Sequence, residues 1–408
     1  MLGPERNDDR PRETAGLATT LIHHPYQPPA TFEAVPVGVY KASTVLFPNV
    51  AAMRARHWQD KSGYTYGLHG TPTTFTLEER IAALEGGRYC VLAPSGLAAI
   101  ALVDLALLRA GDEVLLPDNA YGPNKALAAH ELAQWGIGHR IYEPMDPADL
   151  AAAITPRTRL VWLEAAGSVT LEFPDLPALV AVVQQANRGR QRPIVTALDD
   201  TWGAGVALRP FELGVDVAMQ ALTKYPSGGA DVLMGAVVTR DEALHHTLLM
   251  THMRLGLGVG ANDAEAVLRG LPSLPLRYRA QDAAARELAS WMQRQPWVAR
   301  VFHPALPGSP GHQAWRRDAR AAAALFSVVF DPAVTPERVD AFCDALRCFR
   351  LGYSWAGPMS LCMPYDVPQM RVRPWPYPPR LVRFAVGLEE VEDLRADLAQ
   401  ALQTIEPH

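Results

Sequence analysis

Lysine is scarce: of 38 basic residues only four are lysines, Lys41, Lys61, Lys125 and Lys224. Arginine supplies nearly all the cationic surface, so a lysine in an unusual setting stands out. Cysteine is equally sparse. Cys90, Cys343, Cys348 and Cys362 are too few and too scattered for a disulfide framework. Cys343 and Cys348 have no His or Cys partner at zinc-ligand spacing, so free thiols are expected and no metal. There is no dense Lys/Arg tract, and the formal net charge is only −5, which argues against a grip on nucleic acid or an anionic membrane. Long apolar runs are missing too. Leu97–Val103 stops at Asp104, well short of the roughly 18–20 residues that span a bilayer. Met1 to Gly16 is polar and mixed in charge, without the apolar segment of a signal peptide. A cytoplasmic protein is the expectation.

What is present is the composition of a globular chain, with 49% hydrophobic and 20% charged residues over 408 positions. At roughly 100–200 residues per domain, this length suggests two large domains. The first sixty-odd residues carry scattered prolines (Pro25, Pro28, Pro29, Pro36, Pro48) and read as an arm, residues 1–65. Thr76-Leu-Glu-Glu79 has the form of a capping box opening a helix that Gly86-Gly87 would close. Strand-like runs then alternate with helical ones. Tyr89–Leu92, Glu113–Leu116, Leu160–Leu163, Ile194–Leu198, Val215–Gln220 and Val232–Val238 read as strands. Leu97–Arg109, Asn124–Trp135 and Leu176–Gln185 read as helices. Such alternation implies an α/β unit, residues 66–265, with a parallel sheet covered on both faces. Ligands of such sheets bind beyond the carboxyl ends of the strands. Residues 266–408 form a separate α+β unit, with strands at Leu325–Phe330 and Leu381–Val386 and a closing helix at Val391–Leu402.

Lys224 follows a buried strand, in Thr223-Lys-Tyr-Pro-Ser-Gly-Gly229, at the expected ligand edge of the sheet. A lysine that forms a Schiff base needs this kind of place: partly desolvated, so that its pKa falls, and fixed at a cleft. Taken alone, a solvated loop lysine fits as well. Asp199 ends the preceding strand, where a carboxylate can keep a pyridine nitrogen protonated or merely cap a turn; Asp200 is a second candidate for the same role. Pro94-Ser-Gly-Leu97 leads into a helix, and its open N–H groups suit a phosphate. Tyr121, just beyond another strand, suits either stacking on an aromatic ligand or plain packing. Arg383 lies in the otherwise apolar Leu381-Val-Arg-Phe-Ala-Val386. A buried guanidinium there needs an anion, from the protein or from a ligand such as an α-carboxylate.

From about Tyr64 onward the chain resembles the Cys/Met-metabolism family of fold-type I pyridoxal 5′-phosphate (PLP) enzymes, and within it the bacterial cystathionine β-lyases. The likeness rests on Gly70-Thr-Pro-Thr-Thr-Phe75, Leu84-Glu-Gly-Gly87, Asp199-Asp-Thr-Trp-Gly-Ala-Gly205, Ala221-Leu-Thr-Lys-Tyr225, His303-Pro-Ala-Leu-Pro-Gly308, Tyr353-Ser-Trp355 and Gly387-Leu-Glu-Glu390, in that order. It implies a large domain with a mostly parallel seven-stranded sheet and a smaller α+β C-terminal domain. It implies PLP as cofactor, carried by Lys224, with Asp199 at the pyridine nitrogen and Tyr121 on the ring. Gly96, Leu97 and Thr223 would hold the phosphate, together with Tyr66 from a neighbouring subunit. Ser354 and Arg383 would bind the substrate carboxylate, with Trp355 nearby. The implied activity is β-elimination of L-cystathionine to homocysteine, pyruvate and ammonia in methionine biosynthesis, by a homotetramer with shared sites. γ-Lyase or γ-synthase chemistry, a broader cysteine-S-conjugate or cystine lyase, and a non-catalytic PLP-binding protein are the alternatives.

Three positions depart from the family pattern. Leu68 stands where relatives usually carry an arginine, and Ala221 where a serine is frequent. Ala356-Gly-Pro-Met359 lacks a glutamate common in γ-specific members.

Overall fold

A computed structural model describes residues 16–22 and 35–405. Pro25, Pro28, Pro29 and most of the Met1–Gly16 stretch lie outside the described residues. The described part of the arm holds short helices at Leu17–Ile22 and Val50–Arg54 and a single bridge between Thr44 and Tyr66. It is fastened by Thr73, whose hydroxyl accepts from Tyr40 N and donates to the Gly38 carbonyl, both at 2.8 Å.

The first long helix runs Pro72–Glu85, five residues earlier than the sequence pattern suggests. Its cap is Thr71: Thr71 N donates to Thr74 Oγ1 at 2.8 Å and Thr74 N to Thr71 Oγ1 at 3.4 Å. Pro72 at the first helical position favours this start, and Thr76 sits inside the helix with its hydroxyl on the Pro72 carbonyl. The helix closes at Gly86 with φ of 73°, a conformation that glycine adopts without penalty.

Seven strands form the large sheet: β1 (Tyr89–Ala93), β2 (Glu113–Pro117), β3 (Gly138–Tyr142), β4 (Thr158–Glu164), β5 (Val195–Asp199), β6 (Val217–Ala221) and β7 (Gly235–Thr239). Their order is β1-β7-β6-β5-β4-β2-β3. β7 alone runs antiparallel to its neighbours, so the sheet is mostly parallel. β3 is the strand that the periodicity missed. It lies at the sheet edge with His139 and Arg140 exposed, and an edge strand need not show an apolar run. The helix expected over Asn124–Trp135 starts at Gly122 and widens into a π-type turn at Ala128–Leu132.

The second sheet comprises β8 (Val298–Phe302), β9 (Leu325–Phe330), β10 (Arg350–Leu351), β11 (Leu361–Asp366) and β12 (Arg380–Ala385), in the order β10-β11-β12-β9-β8. Val391–Leu402 is the closing helix. One continuous apolar core joins the sheets, running from Leu163, Leu198 and Leu222 to Ala324, Leu325, Leu381 and Ala385. That shared interior brings the start of β12 and the 353–356 loop against the carboxyl edge of the large sheet. Among the described residues no helix is long and apolar enough to cross a membrane.

Candidate active site

The carboxyl ends of β1, β2, β4, β5 and β6 share one edge of the large sheet, and the candidate residues gather there. Lys224 sits in the turn that follows β6. Its backbone N–H donates to Ala221 O at 3.1 Å and its carbonyl accepts from Gly228 N at 2.9 Å. Tyr225 anchors the turn from below: its hydroxyl accepts from Ala324 N at 2.8 Å, and its ring lies 4.4 Å from that of Tyr278. With the backbone pinned, the Lys224 amine reaches outward and donates to Ser354 Oγ at 2.6 Å. Trp355 lines the same space, its ring centre 5.5 Å from Nζ. Burial pushes the Lys224 amine down to about 8, helped by the Arg383 cation and opposed by Asp199. An amine so tuned is partly unprotonated near neutral pH and can act as nucleophile or base.

Asp199 ends β5 and is buried; its Oδ1 accepts from Thr201 N at 3.0 Å. Burial raises its pKa, while the Thr201 hydrogen bonds and the Lys224 cation oppose this. Asp200 turns the other way, fully buried, with Oδ2 accepting from Gly205 N at 3.0 Å beside Glu85. It is not placed for the role that Asp199 can fill. Ser95 caps the Gly96–Leu107 helix by accepting from Ala98 N at 3.0 Å. The N–H groups of Gly96 and Leu97 bond to nothing among the described residues. A Cβ at Gly96 would come within 2.8 Å of the Ala221 Cβ, so glycine keeps the helix start open against the end of β6. The Thr223 hydroxyl is engaged by Met234, donating to its carbonyl at 3.2 Å and accepting from its N–H at 3.0 Å.

Arg383 is 6% exposed, and among the described residues no carboxylate lies within ion-pair distance of it. Its Nη1 donates to Ser168 O at 3.2 Å, and its guanidinium carbon lies 5.2 Å from the Tyr365 ring centre. Of the two choices left open by the sequence, a protein ion pair is therefore not the one realised. Tyr121 is exposed beyond β2 with its N–H on Glu164 Oε2 at 2.8 Å, and desolvation and then the Asp199 charge raise its phenol pKa. Tyr66 is not brought to this cluster within one chain. It is 47% exposed, and its ring stands edge-on to His69 at 6.0 Å. Leu68 faces an internal pocket with Trp58, His69 and Gly258.

Two residues escaped the sequence reading. Glu164 ends β4 in register with Asp199 of β5 and carries Tyr121. A carboxylate closing the run Leu160–Leu163 was the available signal. Tyr365 reaches Arg383 only through strand pairing, and nothing local in the sequence announces that.

These residues fit PLP: a softened lysine amine, a buried carboxylate beside it, two open helix amides for a phosphate, and an unneutralised buried arginine. The comparisons with known proteins agree. Residues 18–403 match the model of the family described as Cys/Met metabolism PLP-dependent enzyme. The chain is 38% identical to a putative cystathionine beta-lyase of Rhizobium johnstonii over 396 residues, 96% of this chain and 97% of that protein. It is 38% identical to a cystathionine beta-lyase of Bordetella avium, covering 94% and 96%. A crystal structure of metB from Corynebacterium glutamicum superposes with a TM-score of 0.87 at 28% identity, covering 96% of this chain and 99% of that one. The chain belongs to the Cys/Met-metabolism family of fold-type I PLP-dependent enzymes, and is a PLP-dependent lyase or transferase of that family.

Proposed function

We propose that the chain catalyses β-elimination of L-cystathionine to homocysteine, pyruvate and ammonia, a step of methionine biosynthesis. PLP, when bound, supplies an electron sink conjugated to the substrate Cα. Arg383 and Ser354 receive the α-carboxylate, which fixes the substrate so that its Cα–H faces Lys224. The Lys224 amine removes that proton and returns one to the departing thiolate. Asp199 would hold a negative charge toward the cofactor's pyridine nitrogen, and Tyr121 would serve as its ring-stacking side chain.

The observation that carries this reading is the Lys224 amine, held at one point by Ser354 and bordered by Trp355. β-Elimination removes one proton, at Cα, whereas γ-elimination removes a second from Cβ. An amine tethered beside the Trp355 ring, in a chain whose Ala356-Gly-Pro-Met359 stretch carries no glutamate, suits the single transfer. The same reading takes the chain to be a cytoplasmic homotetramer in which Tyr66 serves a neighbour's phosphate site.

Product analysis with L-cystathionine tests the proposal. Homocysteine and pyruvate are expected; cysteine and 2-oxobutyrate would assign γ chemistry instead. A second reading, a lyase for cysteine S-conjugates, rests on Leu68, which stands where the family usually carries an arginine. A kcat/KM for S-alkyl cysteines above that for cystathionine would select it.

A further inference from the structure

Two arginines near the site are deeply buried, and the fold treats them in opposite ways. The Arg371 side chain is 8% exposed, with Nε on Asp118 Oδ2 at 3.1 Å and Nη1 bonded to the Glu172 carboxylate. Two carboxylates thus neutralise one guanidinium, as burial ordinarily demands. Arg383, buried as well, has no anionic partner among the described residues: it meets the Ser168 carbonyl at 3.2 Å and the Tyr365 side chain, and the Lys224 amine nearby is itself a cation when protonated.

Strand pairing explains how Tyr365 arrives there. β11 and β12 are antiparallel, with Met363 opposite Arg383 and Tyr365 opposite Leu381. Residues 365 and 383 are therefore diagonal neighbours on one face, within reach of long side chains. The guanidinium carbon stands 5.2 Å from the ring centre, and the phenol oxygen makes a polar contact with the cation.

We infer that Tyr365 is a positioning residue for carboxylate recognition: it orients the Arg383 guanidinium without neutralising it. The inference rests on the reading that Arg383 receives the α-carboxylate. A carboxylate at position 365 would orient the cation equally well and cancel its charge. A phenylalanine would leave the charge and lose the orientation. Tyrosine does neither, because burial pushes its phenol pKa up and keeps it uncharged at neutral pH. The cation is left aimed and uncompensated, the condition in which a bidentate carboxylate binds best.

The test uses PLP-loaded protein titrated with glycine and with glycinamide, followed by the absorbance of the bound cofactor. Wild type should bind glycine at least about 10-fold more tightly than glycinamide, a charge-assisted bond's share of affinity. Tyr365→Phe should cut that preference by about 3- to 10-fold through weaker glycine binding, with glycinamide affinity and melting temperature unchanged. Tyr365→Glu should abolish it. For turnover of a sulfur amino acid, Tyr365→Phe should raise KM while kcat changes by less than about 3-fold. A preference equal in wild type and Tyr365→Phe would overturn the role of Tyr365 alone. No preference in wild type would overturn the role of Arg383, and this inference with it.

Discussion

Lys224 Nζ and Ser354 Oγ stand 2.6 Å apart across 130 residues of chain. One belongs to the edge of the large sheet and the other to a loop of the C-terminal α+β part. Ser354 holds a backbone φ of +94°, unusual for a residue with a side chain, and the neighbouring Ala356 has +66°. The loop is thus shaped to deliver a hydroxyl to the amine.

The desolvated amine sets a pH dependence that can be read on the apoprotein. Burial and the Arg383 cation both disfavour the ammonium form, and Asp199 favours it, with a net position near 8 rather than 10.5. Only the neutral amine attacks the cofactor aldehyde. The rate of PLP uptake, followed by absorbance, should therefore rise with pH around a midpoint near 8. Arg383→Ala should move the midpoint up and Asp199→Asn should move it down. A wild-type midpoint close to that of free lysine would contradict the account.

Glu164 is buried beside Asp199, and burial followed by the Asp199 charge raises its pKa well above the usual carboxylate range. Burial thus disfavours its charged form, and its part is to hold the Tyr121 N–H. Glu164→Gln, neutral and of the same shape, should keep kcat/KM within about 3-fold, whereas Glu164→Ala orphans a backbone donor and should lose about 10-fold or more. Steady-state kinetics decide. An inactive glutamine variant would mean that the negative charge is needed.

Glu85 and Asp200 make a buried carboxyl pair behind the site, with Glu85 Oε2 and Asp200 Oδ1 finding no other partner. Desolvation and mutual repulsion hold the Glu85 pKa well up, and burial pushes Asp200 up to about 7. Gln220 and the Gly205 N–H face the pair, the Arg209 cation lowers both pKa values, and Asp199 raises that of Asp200. Both folded pKa values exceed the unfolded ones, so the folded protein holds extra protons between them. The stability from this pair is complete below about pH 4 and is lost as pH rises towards 7 and beyond. Asp200→Asn can donate to Glu85 without a proton. The melting temperature of the variant minus that of wild type should therefore grow between pH 5 and pH 8, reaching about 2 °C or more. A difference flat with pH would refute a shared proton.

Much of this was legible because chemistry sits at places where composition changes. Lys224 is one of four lysines, and Arg383 interrupts an apolar strand. Both stand out against their neighbours, and the fold brings them to one cluster. Asp199 could be told from Asp200 only by alternation along a strand, and the structure turns one to the cleft and the other to the core. Contacts between distant elements could not be read. Tyr365 depends on the register of β11 against β12, and Glu164 on that of β4 against β5. The helix start fell at Thr71 rather than Thr76 because two hydroxyls can cap each other as well as a hydroxyl and a carboxylate can. Composition cannot rank such options; backbone geometry does.

The proposed function requires Lys224 to carry the cofactor. PLP-loaded protein reduced with sodium borohydride, digested and mapped by mass spectrometry should show a single pyridoxyl adduct, on the peptide containing Lys224. An adduct on Lys41, Lys61 or Lys125, or none on any lysine, would contradict the account.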